Sequence, residues 1–267
     1  MKIDRLLLSA AVAALTTSSA LAHRFWIVSS TSVLSGEEPW ACFDAAVSND
    51  LFFPNHHAPE LEAFTAVGPE GETTELQHGM VGKYRTTFDI QLKKPGTYRV
   101  STVRSTLSAR WEEAGEQKRW RGSVERIAEV KDKPGVMFMD SRSRVETFVT
   151  SGEPTTPSAS GKGLELVFDK SHPNDLFTGE TSTFTLHNNG KPAAGLKVTI
   201  IKGADRYRND VGEITATTDE NGNFTVAWPE AGRFWMNVST EGGTTAVAGL
   251  EAQSRSSYTA TFEVLPE

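Results

Sequence analysis

The sequence predicts an all-β protein built as two β-sandwiches. Three observations predict it. Apolar residues fall in short runs punctuated by Gly, Pro and Asn, at the spacing of successive strands. After residue 22 no stretch keeps the 3.6-residue period of a long helix. Glycine is frequent, with 22 among 267 residues beside 12 prolines, which suits a chain with many turns. The length fits two domains of ordinary size. The Pro/Ser/Gly-rich stretch GEPTTPSASGKG at 152–163 marks the boundary. The expected organisation is a signal peptide at 1–22, an N-terminal sandwich at 23–151, a linker at 152–163 and a C-terminal sandwich at 164–267.

Taken in order, residues 25–29 (FWIVS) make the first strand. The turn LSGEEP at 34–39 leads to a second strand at 40–47, with Cys42 inside it as a small buried side chain. Residues 61–67 run into the turn Gly68-Pro69-Glu70-Gly71. Residues 84–92 alternate polar and apolar, and Lys94-Pro95-Gly96 turns into a strand at 97–103. Residues 109–130 hold many Arg, Lys, Glu and Trp. They read as an exposed hairpin with paired charges, followed by a short helical turn at 125–130. Met137-Phe138-Met139 reads as core filling rather than a pair of soft ligands. The second half places strands at 164–168, 181–188, 195–202, 224–228 and 233–239. The turn signals Asn189-Gly190 and Asn221-Gly222 separate them. KYRTTFDIQLKKPGTYRVSTV at 83–103 and NFTVAWPEAGRFWMNVST at 223–240 are read as sharing one pattern: a strand, a Pro/Gly turn, an aromatic pair and an apolar-polar strand. Each reads as a hairpin, and the likeness suggests two related domains.

The first 22 residues have the form of an export signal. Lys2 and Arg5 are the positive region, residues 6–15 the apolar region, and Ala20-Leu21-Ala22 the cut site. The apolar run is shorter than the ~20 residues of a membrane span. The expected localisation is periplasmic, and the chain is not expected to be an integral membrane protein. Cleavage after Ala22 makes His23 the first residue. Its α-amino group and imidazole can then chelate one metal ion, because modest competition deprotonates an amine whose pKa is near 8.

Charge narrows the function classes. With 27 basic against 34 acidic residues the net charge is −7, which argues against a nucleic-acid partner. One cysteine excludes an intramolecular disulfide and a multi-cysteine metal site. No nucleophile elbow, phosphate-binding loop or HExxH pair is present, so the chain is expected not to be an enzyme.

Metal binding is the sharpest reading of the six histidines. His56 and His57 sit in the loop following DLFFPN, where either ring can turn towards His23. Asp44, Asp50 or His78 could add a ligand. Nitrogen-rich sites suit Cu(II) and Ni(II), with Co(II) weaker. The alternative is that His56 and His57 are solvated loop residues. His172 and Asp175 can share a metal, but they also suit an ordinary turn. His187 is a surface or interface position. Arg104, Arg110, Trp111, Lys118, Arg119, Trp120 and Arg121 form a basic and aromatic island that could stack on a sugar or an anionic chelate.

Several segments carry a family resemblance. They are AHRFWI at 22–27, SNDLFFPNHHAPEL at 48–61, KRWRG at 118–122, VETFVTSGEPT at 145–155, LELVFDKSHPNDLFTGE at 164–180, GKPAAGLKVTIIKGADRYRNDVGEITATTDENGNF at 190–224 and WPEAGRFWM at 228–236. They resemble the family known as domain of unknown function 4198, whose members often carry the label of a periplasmic component of cobalt or nickel transport. The last third is similar to the Ig-like and transthyretin-like modules of exported proteins. The resemblance implies two Ig-like/transthyretin-like sandwiches and a role in uptake or delivery of a divalent transition metal. The implied partner is a membrane metal transporter or an outer-membrane receptor. Two other readings stay open: an adhesion or binding module without metal, and a copper oxidase using a histidine brace at His23 with His56 or His57.

Overall fold

The structure is a computed structural model that describes residues 23–240 and 242–267. The signal sequence expected at 1–22 lies outside the described residues. The chain is all-β. Its first half runs β1 (Arg24–Ser29), β2 (Val33–Leu34), β3 (Trp40–Ser48), β4 (Phe64–Val67), β5 (Thr73–Thr74), β6 (Gln77–Val81), β7 (Thr86–Gln91), β8 (Gly96–Glu113), β9 (Glu116–Gly122) and β10 (Met137–Ser151). The second half runs β11 (Leu164–Val167), β12 (Thr181–Asn188), β13 (Lys191–Pro192), β14 (Lys197–Lys202), β15 (Ile214–Thr217), β16 (Asn223–Ala227), β17 (Gly232–Ser239), β18 (Thr244–Val247) and β19 (Leu250–Val264). Short 3₁₀ turns occupy Leu61–Ala63 and Val124–Glu129, the second where a helical turn is expected.

The strands form a central sheet in the order β15-β14-β17-β19-β10-β8-β4-β5, flanked by two smaller sheets, β1-β3-β7-β6 and β11-β12-β16. The two halves repeat one topology. In each, an antiparallel β1-β3-β7 or β11-β12-β16 sheet faces a β5-β4-β8-β10 or β15-β14-β17-β19 set. The final strands of the two repeats, β10 and β19, pair in parallel over ten residues from Phe138↔Ala252 to Thr147↔Thr261. One sheet therefore serves both Ig-like sandwiches.

The two cores lie on opposite faces of that sheet. Side chains alternate along a strand, so β10 feeds both. Val145 and Val149 enter the first core with Ile27, Phe43, Phe88, Tyr98 and Val100. Phe148 enters the second, with Leu166, Phe184, Trp228, Phe234 and Phe262. A third cluster of Trp26, Val28, Leu51, Ile201 and Trp235 packs β1 onto strands of the second repeat. Burial of each large side chain contributes about 1.5–3 kcal/mol, so this cluster couples the halves firmly.

Several local expectations change. Lys94-Pro95-Gly96 joins β7 to β8, and Pro229 to Gly232 joins β16 to β17, but in each case the two strands belong to different sheets. These are corners between layers rather than hairpins, and they occupy equivalent places in the two repeats. Residues 152–163 are held against the central sheet. The Arg99 guanidinium donates to the Ser158 carbonyl at 2.6 Å, and Arg144 donates to Ser160 Oγ at 2.6 Å. Glu165, 1% exposed, accepts from the backbone of Ser160 and Gly161. Cys42 is exposed rather than buried, because it alternates with Ala41 and Phe43, which take the core face. Met137 and Met139 are also exposed, and only Phe138 between them is buried.

β8, β10 and β19 continue beyond the sandwiches as a blade, completed by β9 and β18. The β8–β9 hairpin is the one expected, turning at Ala114 and Gly115 with φ of 55° and 79°. One blade face is covered by the 124–136 segment over Leu107, Ala109, Phe138 and Ala252. Among the described residues no helix is long and apolar enough to cross a membrane.

Candidate functional site

Three of the histidines meet at one end of the β1-β3-β7 sheet. His23 precedes β1, whose first residue pairs Arg24↔Ser48 with the last residue of β3. The chain then loops through 49–56 and returns, so that the backbones of His57 and Val47 exchange hydrogen bonds at 3.1 and 3.3 Å. This brings the His23 and His56 rings into a stack, centroids 3.6 Å apart and 9° from parallel. His57 lies edge-on to His56 at 4.8 Å. Burial first, then His56, Arg104 and His23, push the His57 pKa below its ordinary value. That favours the neutral imidazole, the form that binds metal.

The loop owes its shape to a set of polar anchors. The Trp26 indole donates to Ser48 Oγ at 2.7 Å, and Ser48 Oγ donates to the Asp50 carbonyl at 2.6 Å. Asn55 caps the turn, accepting from Asn49 N–H and donating to Asp50 Oδ2, both at 2.9 Å. Asp205, from the second repeat and 5% exposed, receives Arg24 Nη1 at 2.5 Å on Oδ2 and Leu51 N–H at 3.0 Å on Oδ1. It therefore fixes both segments that carry the histidines. Phe52 adopts φ of 61°, a strained value for a bulky residue. Its ring lies over Gly203, where a Cβ would come within 2.5 Å. Phe53 is exposed and carries the Arg206 guanidinium 3.9 Å from its ring centroid.

The other candidates lie apart from this trio or are engaged elsewhere. His78 is at the far end of the sheet. Its neighbour Gln77 pairs with Asp89, which pairs with Cys42, and Cys42 is roughly 20 Å along β3 from Ser48 at strand rise. His78 Nδ1 is 2.9 Å from Asp89 Oδ2. Asp50 is in the histidine loop, with Oδ2 bonded to Asn55. Asp44 pairs with Arg85 at 3.2 Å. His172 is structural: Nδ1 accepts from Asn174 N–H at 3.2 Å, leaving Nε2 to donate to the Thr155 carbonyl at 3.2 Å. His187 lies on β12 opposite Glu165 and Pro192.

The stacked rings do not aim their lone pairs at one point. Among the described residues no group of three or more His, Cys, Asp or Glu side chains stands as a ready set of metal ligands. The three rings are exposed, however, and rotation about their side-chain bonds is unhindered by a core. The donor set of three imidazoles fits a borderline transition ion. Cys42 presents the opposite chemistry to an activated nucleophile. The hydrogen bond to Asp89, burial and the charges of Asp89 and Asp44 raise its pKa to about 11, keeping the thiol protonated.

Sequence reasoning missed Asp205 and Arg24, and placed Arg104 only in the basic and aromatic island. Asp205 is 181 residues from Arg24 and 154 from Leu51, and no local pattern signals pairing at that range.

No curated protein matches the chain. Among solved structures, the D0-D1 domain of intimin is similar at 11% identity with a TM-score of 0.23, covering 87% of this chain and 96% of that one. A DUF4785 family protein from Legionella pneumophila gives 10% identity and a TM-score of 0.25, covering 80% of this chain and 51% of that one. A bacterial ice-binding adhesin gives 14% and 0.23, covering 92% and 66%. Scores this low carry no functional argument. The family model described as Domain of unknown function (DUF4198) matches residues 20–242, nearly the whole chain, and the protein belongs to that family.

Proposed function

We propose that this is an exported protein that binds one divalent transition-metal ion, nickel, cobalt or copper, and hands it on for uptake or delivery. The observation that carries the reading is the meeting of His23, His56 and His57, with ring centroids 3.6 and 4.8 Å apart. Half of the chain's six histidines gather at one sheet end, where Asp205 anchors both supporting segments. Cleavage after Ala22 would add the His23 amine to the donor set. The metal is cargo, held by chelation and released without turnover. A periplasmic location and a membrane transporter or outer-membrane receptor as recipient belong to the same proposal. His78 is not part of the set.

Titration calorimetry of the processed protein with nickel tests it. His56→Ala and His57→Ala should each weaken binding at least tenfold, the cost of one lost ligand or its support, while His78→Ala should leave it unchanged. Equal affinity in all three variants would overturn the assignment.

A further inference from the structure

The blade has one covered face and one open face. On the open face, alternation places Ser108 and Arg110 of β8, Arg119 and Arg121 of β9, Met137 and Met139 of β10, and Gln253 of β19 side by side. The register aligns them in rows: Met137↔Arg110↔Arg119, and Gln253↔Met139↔Ser108↔Arg121. They line a cavity of about 390 Å³. Arg110 and Arg119 stand directly opposite each other, an arrangement that like-charge repulsion disfavours. Lys118 on the hairpin and Arg126 and Lys133 in the covering segment are neutralised, by Glu116, Glu129 and Glu113. Among the described residues, Arg110, Arg119 and Arg121 have no carboxylate within 4.0 Å. The carboxylates nearest in the pattern are Glu112, two residues beyond Arg110 on β8, and Glu251, beside Met137 at the far end of the first row.

Three unneutralised guanidinium groups in one groove of an acidic protein call for an anion. They also disfavour a metal cation at the exposed Met137 and Met139 thioethers. Arginines on neighbouring strands stand about 5 Å apart, and those two residues apart on one strand about 7 Å. A compact molecule bearing two or three carboxylates spans such distances. Each guanidinium can hold a carboxylate through two parallel hydrogen bonds. The methionines would cover its carbon skeleton. We infer that Arg110, Arg119 and Arg121 form a binding site for a small polycarboxylate. The site stands independently of the metal reading.

The test is calorimetric titration of the full processed chain with citrate, followed by Arg119→Gln/Arg121→Gln in the same protein. Both arginines are exposed, so the double variant keeps the fold, checked by its unchanged thermal midpoint and nickel affinity. The expected result is saturable one-to-one citrate binding, weakened by added salt and at least tenfold weaker in the variant. Absence of saturation at millimolar citrate, or equal affinity in the variant, would overturn the site. Because citrate itself chelates nickel, nickel titration of citrate-free portions of the same proteins reports the histidine cluster separately, so failure of one reading does not mimic failure of the other.

Discussion

Replacing Asp205 by alanine should unfasten the histidine site and weaken the whole protein. The carboxylate is buried, with a side-chain exposure of 2%, and its partner Arg24 is exposed by only 17%. Its two oxygens hold a guanidinium at 2.5 Å and the Leu51 N–H at 3.0 Å. Alanine leaves a largely buried cation unpaired and a buried backbone donor unsatisfied. Loss of one partner of a buried pair costs about 3–5 kcal/mol, and an orphaned backbone donor about 1–3 kcal/mol. Arg24 keeps some water access and its packing against Trp235 at 5.7 Å, so the total falls just below the summed low ends, to about 3 kcal/mol. For a chain of this length that is a fall in thermal midpoint of roughly 6–12 °C. Thermal unfolding followed by circular dichroism measures it. A double-mutant cycle with Arg24→Ala should show coupling of about 1 kcal/mol or more, since both substitutions remove the same contact. A loss below about 0.5 kcal/mol, the range of an ordinary surface change, or strict additivity with Arg24→Ala, would refute the claim that the second repeat anchors the histidine loop.

Two further predictions concern titrating groups. With its pKa raised from 9.0 to about 11, Cys42 should react with iodoacetamide at pH 8 about tenfold more slowly than a thiol at the ordinary value, the lower thiolate fraction outweighing its greater nucleophilicity. Asp89→Asn should restore most of that rate, and an ordinary rate in the unaltered protein would contradict the hydrogen bond to Asp89. His172 is held below its ordinary pKa, chiefly by burial and despite the opposing Thr155 hydrogen bond and Asp175 charge. The unfolded chain then binds the proton more readily than the folded one. Its contribution to stability is complete above about pH 6.5 and is lost as pH falls from there through the folded value. His172→Asn should flatten denaturation midpoints measured across that acid range; an unchanged slope would show that another group sets it.

How legible this architecture was depended on what covers each strand. β1, β3, β12 and β17 each lay at least one face on a full core, so their apolar pattern stands out in the sequence, and β12 matches its expected range residue for residue. The long strands β10 and β19 were missed. Their halves in the blade, MFMDSRSR and LEAQSRSS, have one solvated face and only a short cluster beneath the other. Hydrophobic periodicity is therefore weak just where the strands are longest. Their parallel pairing across more than a hundred residues has no local signal at all, and it is what fuses two repeats into one sheet. The two corners at Lys94-Pro95-Gly96 and Pro229 to Gly232 illustrate a related limit. Strand–turn–strand patterning specifies reversal of the chain, but only the distribution of buried faces decides whether the second strand pairs with the first or crosses to the opposite layer.

The candidate site was partly legible for a similar reason. His56 and His57 stand out as a rare pair in a polar loop, and His23 as the residue after a signal-type cut. Their meeting is a consequence of β1 pairing antiparallel with β3, which brings the start of one strand beside the end of the other. His78 was grouped with them on residue type alone, and the same antiparallel register carries it to the opposite end of the sheet. Arg104 enters through β8, from the facing sheet, and was seen in the sequence only as part of a charged hairpin. The rows of arginine and methionine on the blade likewise depend on β8–β9 and β8–β10 register, which composition does not reveal.

The proposal of metal binding at the histidine cluster is tested most directly by native mass spectrometry of protein exported and processed in cells, titrated with nickel, cobalt and copper. One spectrum reports the first residue of the chain and the number of ions bound. The account predicts a chain beginning at His23 that takes up one ion, and loses most of that affinity when an extra alanine precedes His23 or when His56 is replaced by alanine. A correctly processed chain that binds no ion at micromolar metal, or binds it equally well in both altered forms, would contradict it.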